Sequence, residues 1–174
     1  MSRRSLTAVE RAEAELVFGS GLDYTRVSVV ENTPLPNWIA DLGGSPKPNA
    51  VTLGGASYFP ETLQITETDI RNGNLRQITW LIHELAHQWQ FQRLWWGYLA
   101  RALWVQVTKG QKSYPYRLED GRRLMDFNME QQADIAKDYY CALKIGRNCE
   151  RTESRDPRTW EPFVAEFKQG AYRP

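Results

Sequence analysis

The chain has 174 residues, with 22 Lys and Arg against 21 Asp and Glu, a net charge of +1. That near-balance excludes the basic bias of a nucleic-acid or polyanion binder, and pairs such as Arg122 and Arg123 are ordinary solvated surface. At 41% hydrophobic and 25% charged residues, the chain is expected to form one domain over residues 1–174, with a core that needs no disulfide staples.

In chain order, "MSRRSLTAVERAEAEL" opens with the pair Arg3 and Arg4 and has no apolar run behind them. It is therefore not a secretory signal, and the chain is expected to be cytoplasmic as synthesised. Thr7 followed by Glu10 is a capping box, and Val9, Ala12, Leu16 and Val17 continue it as a short helix up to Gly19. "YTRVSVVE", Tyr24 to Glu31, alternates and is β-branched, so a strand is expected. Asn32 to Asn49 reads as a proline-rich surface loop anchored by Trp38 and Ile39. "AVTLGGASYF", Ala50 to Phe59, reads as a hairpin turned at Gly54 and Gly55 or as a bulged edge strand.

Leu75, Ile78, Ile82, Leu85 and Trp89 form an apolar stripe at spacings of three and four, which predicts a helix from about Asn74 to Gln92. A second apolar helix is expected over Tyr98 to Val107, followed by a loop from Gly110 to Gly121. Asn128 with Gln131 opens another helix, which Gly146 stops. A last short helix is expected over Thr159 to Phe167. No stretch reaches the ~18 apolar residues of a membrane span. Cys141 and Cys149 are too few for a disulfide framework; free thiols are expected, with pairing across a short loop the alternative in an oxidising compartment.

The chemistry lies in "WLIHELAHQWQ", Trp80 to Gln90, which holds both histidines. Residues i and i+4 share a helix face, so His83 and His87 can direct ring nitrogens at one ion, as a zinc site requires. Glu84 is rotated by ~100° from His83 and sits beside the metal, where it can take a proton from zinc-bound water. The plainer alternative is two histidines packed for structure. A third histidine ligand six residues after His87 is excluded, since that position holds Arg93. A carboxylate on a later helix remains. Glu130, Asp134 and Asp138 recur at i, i+4 and i+8, with Glu130 the candidate third ligand and Asp134 placed to accept the outer N–H of an imidazole. Asp126 and Asp134 are the fallback ligands.

His83-Glu84-Leu85-Ala86-His87 is the HExxH signature, and it resembles that of the zincin metallopeptidases. Glu130 and Asp134 resemble the ExxxD helix of the gluzincin branch. Two departures stand: a longer interval from His87 to Glu130, and Met129 where the thermolysin-like prototypes have Asn. "AELVFGSGLDYTRVSVVE", "NAVTLGGASYFP", "LIHELAHQWQFQ" and "MEQQADIAKDYY" further resemble the zincin-like core domain attached to bacterial contractile injection systems, Rhs and Vgr-related proteins. The likeness covers about Ala14 to Tyr140. It implies an α+β fold, a small twisted sheet packed on the HExxH helix with further C-terminal helices. It implies zinc held by His83, His87 and Glu130, Glu84 as catalytic base and Asp134 as a partner of a histidine. It also implies a protein or peptide substrate, and a role as secreted effector, toxin or processing protease, exported by a contractile or type VI-like system. A secretion-apparatus or immunity protein would be its partner.

The rival is a zincin-fold binding module of a secretion apparatus that does not cleave. An intact Glu84 argues for catalysis, and a fourth protein ligand would argue for the rival. The oxyanion donor stays open among Tyr114, Tyr116, Tyr139 and Tyr140. The strand over Ala50 to Phe59 is a candidate edge for peptide addition. Trp95, Trp96 and Trp104 are expected to pack between helices.

Overall fold

The computed structural model describes residues 1–38, 50–93, 116–118, 122–149 and 156–170. The helix expected over Tyr98 to Val107, Ile39, Tyr114 and the tryptophans at 95, 96 and 104 lie outside these residues.

A strand β1 (Ser2–Arg4) precedes the first helix, α1 (Ala8–Phe18). The Thr7 capping box closes as expected: Thr7 Oγ1 accepts the Glu10 amide at 3.2 Å, and Glu10 Oε2 accepts the Thr7 amide at 2.8 Å. The strand expected from Tyr24 is shorter than its pattern. Tyr24–Arg26 is a turn of 3-10 helix opened by an Asp23 cap, and only Ser28–Glu31 pairs, as β2. Residues 51 to 58 form a hairpin of β3 (Val51–Leu53) and β4 (Ala56–Tyr58), with Gly54 at φ 63° in the first turn position. Glycine is favoured there because it reaches positive φ without a Cβ clash.

The sheet order is β1-β2-β4-β3. β1 runs antiparallel to β2, β2 parallel to β4, and β3 antiparallel to β4, with Thr52 opposite Ser57. β1 was not readable from the sequence: its three residues lack an apolar pattern. Arg4 explains why it forms. The guanidinium reaches Glu10 at 2.7 Å and Glu31 at 2.7 Å, and both carboxylates are buried.

α2 (Glu67–Arg71), capped by Thr66, leads into α3 (Arg76–Arg93). The stripe over Ile78, Ile82, Leu85 and Trp89 is buried, as its spacing predicts. α3 packs against α4 (Met129–Ile145) most extensively, and also against β3 and β4. α4 begins at the Asn128–Gln131 capping box and ends at Gly146 in the left-handed region. α5 (Glu161–Gln169) follows a 3-10 turn at Pro157–Thr159, and the Trp89 indole donates to the Phe167 carbonyl at 3.1 Å. Buried side chains from Ala14 to Phe167 form one hydrophobic cluster. The observed architecture is thus α+β, a small mixed sheet with several helices.

Two expectations fail. Trp38 does not anchor its loop, because it is 60% exposed and Leu35–Trp38 is helical. Cys141 and Cys149 are not free thiols but form a disulfide. The left-handed Gly146 cap reverses the chain at the end of α4 and returns Cys149 to Cys141, a geometry that cysteine spacing alone does not carry.

Candidate metal centre

α3 and α4 carry the site between them. His83 and His87, one turn apart on α3, face Glu130 in the first turn of α4. Among the described residues, these three form the cluster that could hold a metal, with one ligand atom from each within 4.8 Å of the others. His83 Nε2 lies 3.3 Å from Glu130 Oε2, and His87 Nε2 lies 3.4 Å from Glu130 Oε1. Ligands ~2.05 Å from a tetrahedral zinc stand ~3.3 Å apart along its edges, so the spacing fits the ion. The N-terminal turn of α4 also favours a carboxylate at Glu130 through the helix dipole.

The outer nitrogens are held as well. His83 Nδ1 faces Asp134 Oδ1 at 3.3 Å, and Lys137 Nζ steadies that carboxylate at 3.0 Å. His87 Nδ1 faces Gln90 Oε1 at 2.9 Å, and Gln90 Nε2 donates to Met129 O at 2.9 Å and Gln132 Oε1 at 3.0 Å. With both Nδ1–H groups spent on acceptors, both Nε2 atoms are left to the shared point. Gln90 escaped the sequence reading; the readable signal was an amide three residues beyond a candidate ligand, His87.

Electrostatics follow from this geometry. Burial disfavours a charged His83, yet Asp134 and Glu130 outweigh it and raise its pKa to about 10. Burial likewise opposes protonation of His87, but Glu130 raises it. Burial would raise Glu130, while His87 and His83 hold it well below the usual carboxylate range. Asp134 is lowered, against its burial, by His83 and Lys137.

Glu84 is buried and lines, with His83, an open cleft of about 550 Å³ whose walls include Trp80, Arg76, Arg147 and the disulfide. Its Oε2 accepts from Thr52 Oγ1 of β3 at 2.7 Å. The other sequence candidates lie elsewhere. Asp126 accepts the Arg123 amide at 2.7 Å, closing a 3-10 turn. Asp138, on the same helix face, accepts from Tyr116 Oη at 2.6 Å and from the Cys149 amide at 3.2 Å. Of the tyrosines weighed as oxyanion donors, Tyr116 is thus committed to Asp138 and Tyr140 donates to Glu13, while Tyr139 is buried in the core.

Fold and donors together define an α+β domain with a candidate metal-binding centre between two helices. The effector domain of Pseudomonas aeruginosa VgrG2b superposes on it with a TM-score of 0.62 at 32% identity, covering 82% of this chain and 75% of that one. The chain belongs to the family of that effector domain. The type VI secretion system spike protein VgrG2b of the same organism is 34% identical over 141 residues, which are 79% of this chain and 13% of the spike protein's length. No protein-family model matches the chain.

Proposed function

We propose that this domain is a zinc-dependent endopeptidase that acts as a secreted effector of a type VI-like system. The observation that carries the reading is the convergence of His83 Nε2, His87 Nε2 and Glu130 on one point, with Glu84 beside them in an open cleft. Relationship to the VgrG2b effector domain supports the effector role and a secretion-apparatus or immunity protein as partner. The substrate is a protein or peptide.

When bound, zinc supplies Lewis acidity to a water and to the carbonyl under attack. His83, His87 and Glu130 would hold it, and Asp134 and Gln90 orient the two imidazoles through their outer nitrogens. Glu84 takes the proton of the attacking water and passes it to the leaving amine.

The test is elemental analysis of purified protein together with casein cleavage. About one zinc per chain is expected. Glu84→Gln should keep the metal and lose cleavage by about 10²–10⁴-fold. Glu130→Ala should lose the metal. A wild-type chain that holds no zinc after reconstitution overturns the reading. Metal without cleavage by wild type would turn it toward a binding module.

A further inference from the structure

Behind Glu84 lies a buried polar chain that the ligand set does not explain. Glu84 and Gln88, one turn apart on α3, share the face turned to the sheet, where Thr52 and Ser57 stand opposite each other on β3 and β4. All four residues are buried, with Ser57 and Gln88 at 0% exposure. Gln88 Nε2 lies 2.7 Å from Ser57 Oγ, Ser57 Oγ lies 2.7 Å from Thr52 Oγ1, and Thr52 Oγ1 lies 2.7 Å from Glu84 Oε2.

The direction of the chain follows from what each group can do. Gln88 Nε2 also donates to the Ser28 carbonyl at 3.2 Å, which fixes the amide's orientation, because a carbonyl only accepts. Ser57 therefore accepts from Gln88 and gives its one proton to Thr52. Thr52 gives its own to the carboxylate, and the Glu84 backbone carbonyl, at 3.2 Å, is the weaker claimant. Every proton in the chain points toward Glu84.

We infer that Thr52 is a positioning residue for Glu84, and that Ser57 and Gln88 serve by orienting the Thr52 hydroxyl. The inference rests on the endopeptidase reading above and deepens it. Thr52 clamps Oε2 and so leaves Oε1 as the oxygen that meets water. An outer strand thereby sets the rotamer of a group on the helix packed against it.

Thr52→Val keeps the shape and removes the donor. With casein as substrate, kcat should fall about 10–100-fold while KM and zinc content stay at wild-type levels. Thr52→Ser should restore most of kcat, which a purely structural role for the threonine methyl would not allow. Ser57→Ala, which leaves the Thr52–Glu84 bond in place, should give a smaller loss. A readout apart from activity is the urea midpoint of Thr52→Val, Glu84→Gln and the double variant, whose shifts should be non-additive. If wild type cleaves and Thr52→Val keeps its kcat, or Thr52→Ser falls as far as Thr52→Val, the inference is overturned and the endopeptidase reading stands. If wild type holds zinc and cleaves nothing, the endopeptidase reading falls, while additive midpoint shifts overturn the Thr52–Glu84 clamp by themselves.

Discussion

Two regions of this domain bury several charges, and they do so in opposite ways. Around Arg4, one guanidinium meets Glu10 and Glu31, and the remaining acceptor positions take the Thr7 amide at 2.8 Å and the Leu63 amide at 3.1 Å. That cluster is closed, with donors of the chain itself on both Glu10 oxygens and on Glu31 Oε1. Between α3 and α4, two imidazoles and Glu130 all present acceptor-capable atoms to one point, and their outer atoms are already engaged. Either two protons or one dication can balance it. A closed cluster answers its own charges within the chain, whereas a converging one leaves a shared point that protons or a cation can fill.

The comparison can be broken first at Arg4. Arg4→Met leaves two buried carboxylates facing each other and should cost about 3–5 kcal/mol in urea unfolding. Zinc affinity of the folded fraction should not change. A matching drop in affinity would mean the two regions are one unit.

Gln90 sharpens the other half. Gln90→Leu removes the acceptor that fixes His87 and should weaken zinc binding about 10–100-fold in a competitive chelator titration. An unchanged affinity would reduce Gln90 to a tie between α3 and α4.

The smallest effect is in pH. In the metal-free protein His83 titrates at about 10, above its ordinary 6.5. Its contribution to stability is then full below about pH 6.5 and is lost as pH climbs through about 10. Zinc competes for the same nitrogen, so its rise in Tm should be larger near pH 9 than near pH 6. Equal shifts at the two values would contradict the assignment of His83 as a ligand.

What was legible in the sequence was whatever local spacing encodes. The α3 stripe, the Thr7 and Asn128 caps, the Gly146 stop and the pairing of two histidines with a glutamate all act within one or two turns. Glu130 and Asp134 were reachable because they keep helical spacing to each other. β1 was not legible, because three polar residues become a strand only when Arg4 finds Glu10 and Glu31. Thr52, Ser57 and Gln88 were not legible either. Gln88 meets Ser57 across 31 positions of sequence and Thr52 meets Glu84 across 32, and no local pattern marks either contact. The cysteines failed for a related reason, since their pairing depends on the turn that follows α4.

That pairing also bears on the cleft. The Cys141–Cys149 bond lines the cleft beside Glu84, and its loop carries Arg147 and the amide that Asp138 accepts. Disulfides persist in oxidising compartments, and glutathione keeps thiols reduced in the cytosol. In reducing surroundings this wall is held by packing and hydrogen bonds alone, and in oxidising ones it is covalently closed. The bond that closes the turn after α4 is thus also part of the wall beside Glu84.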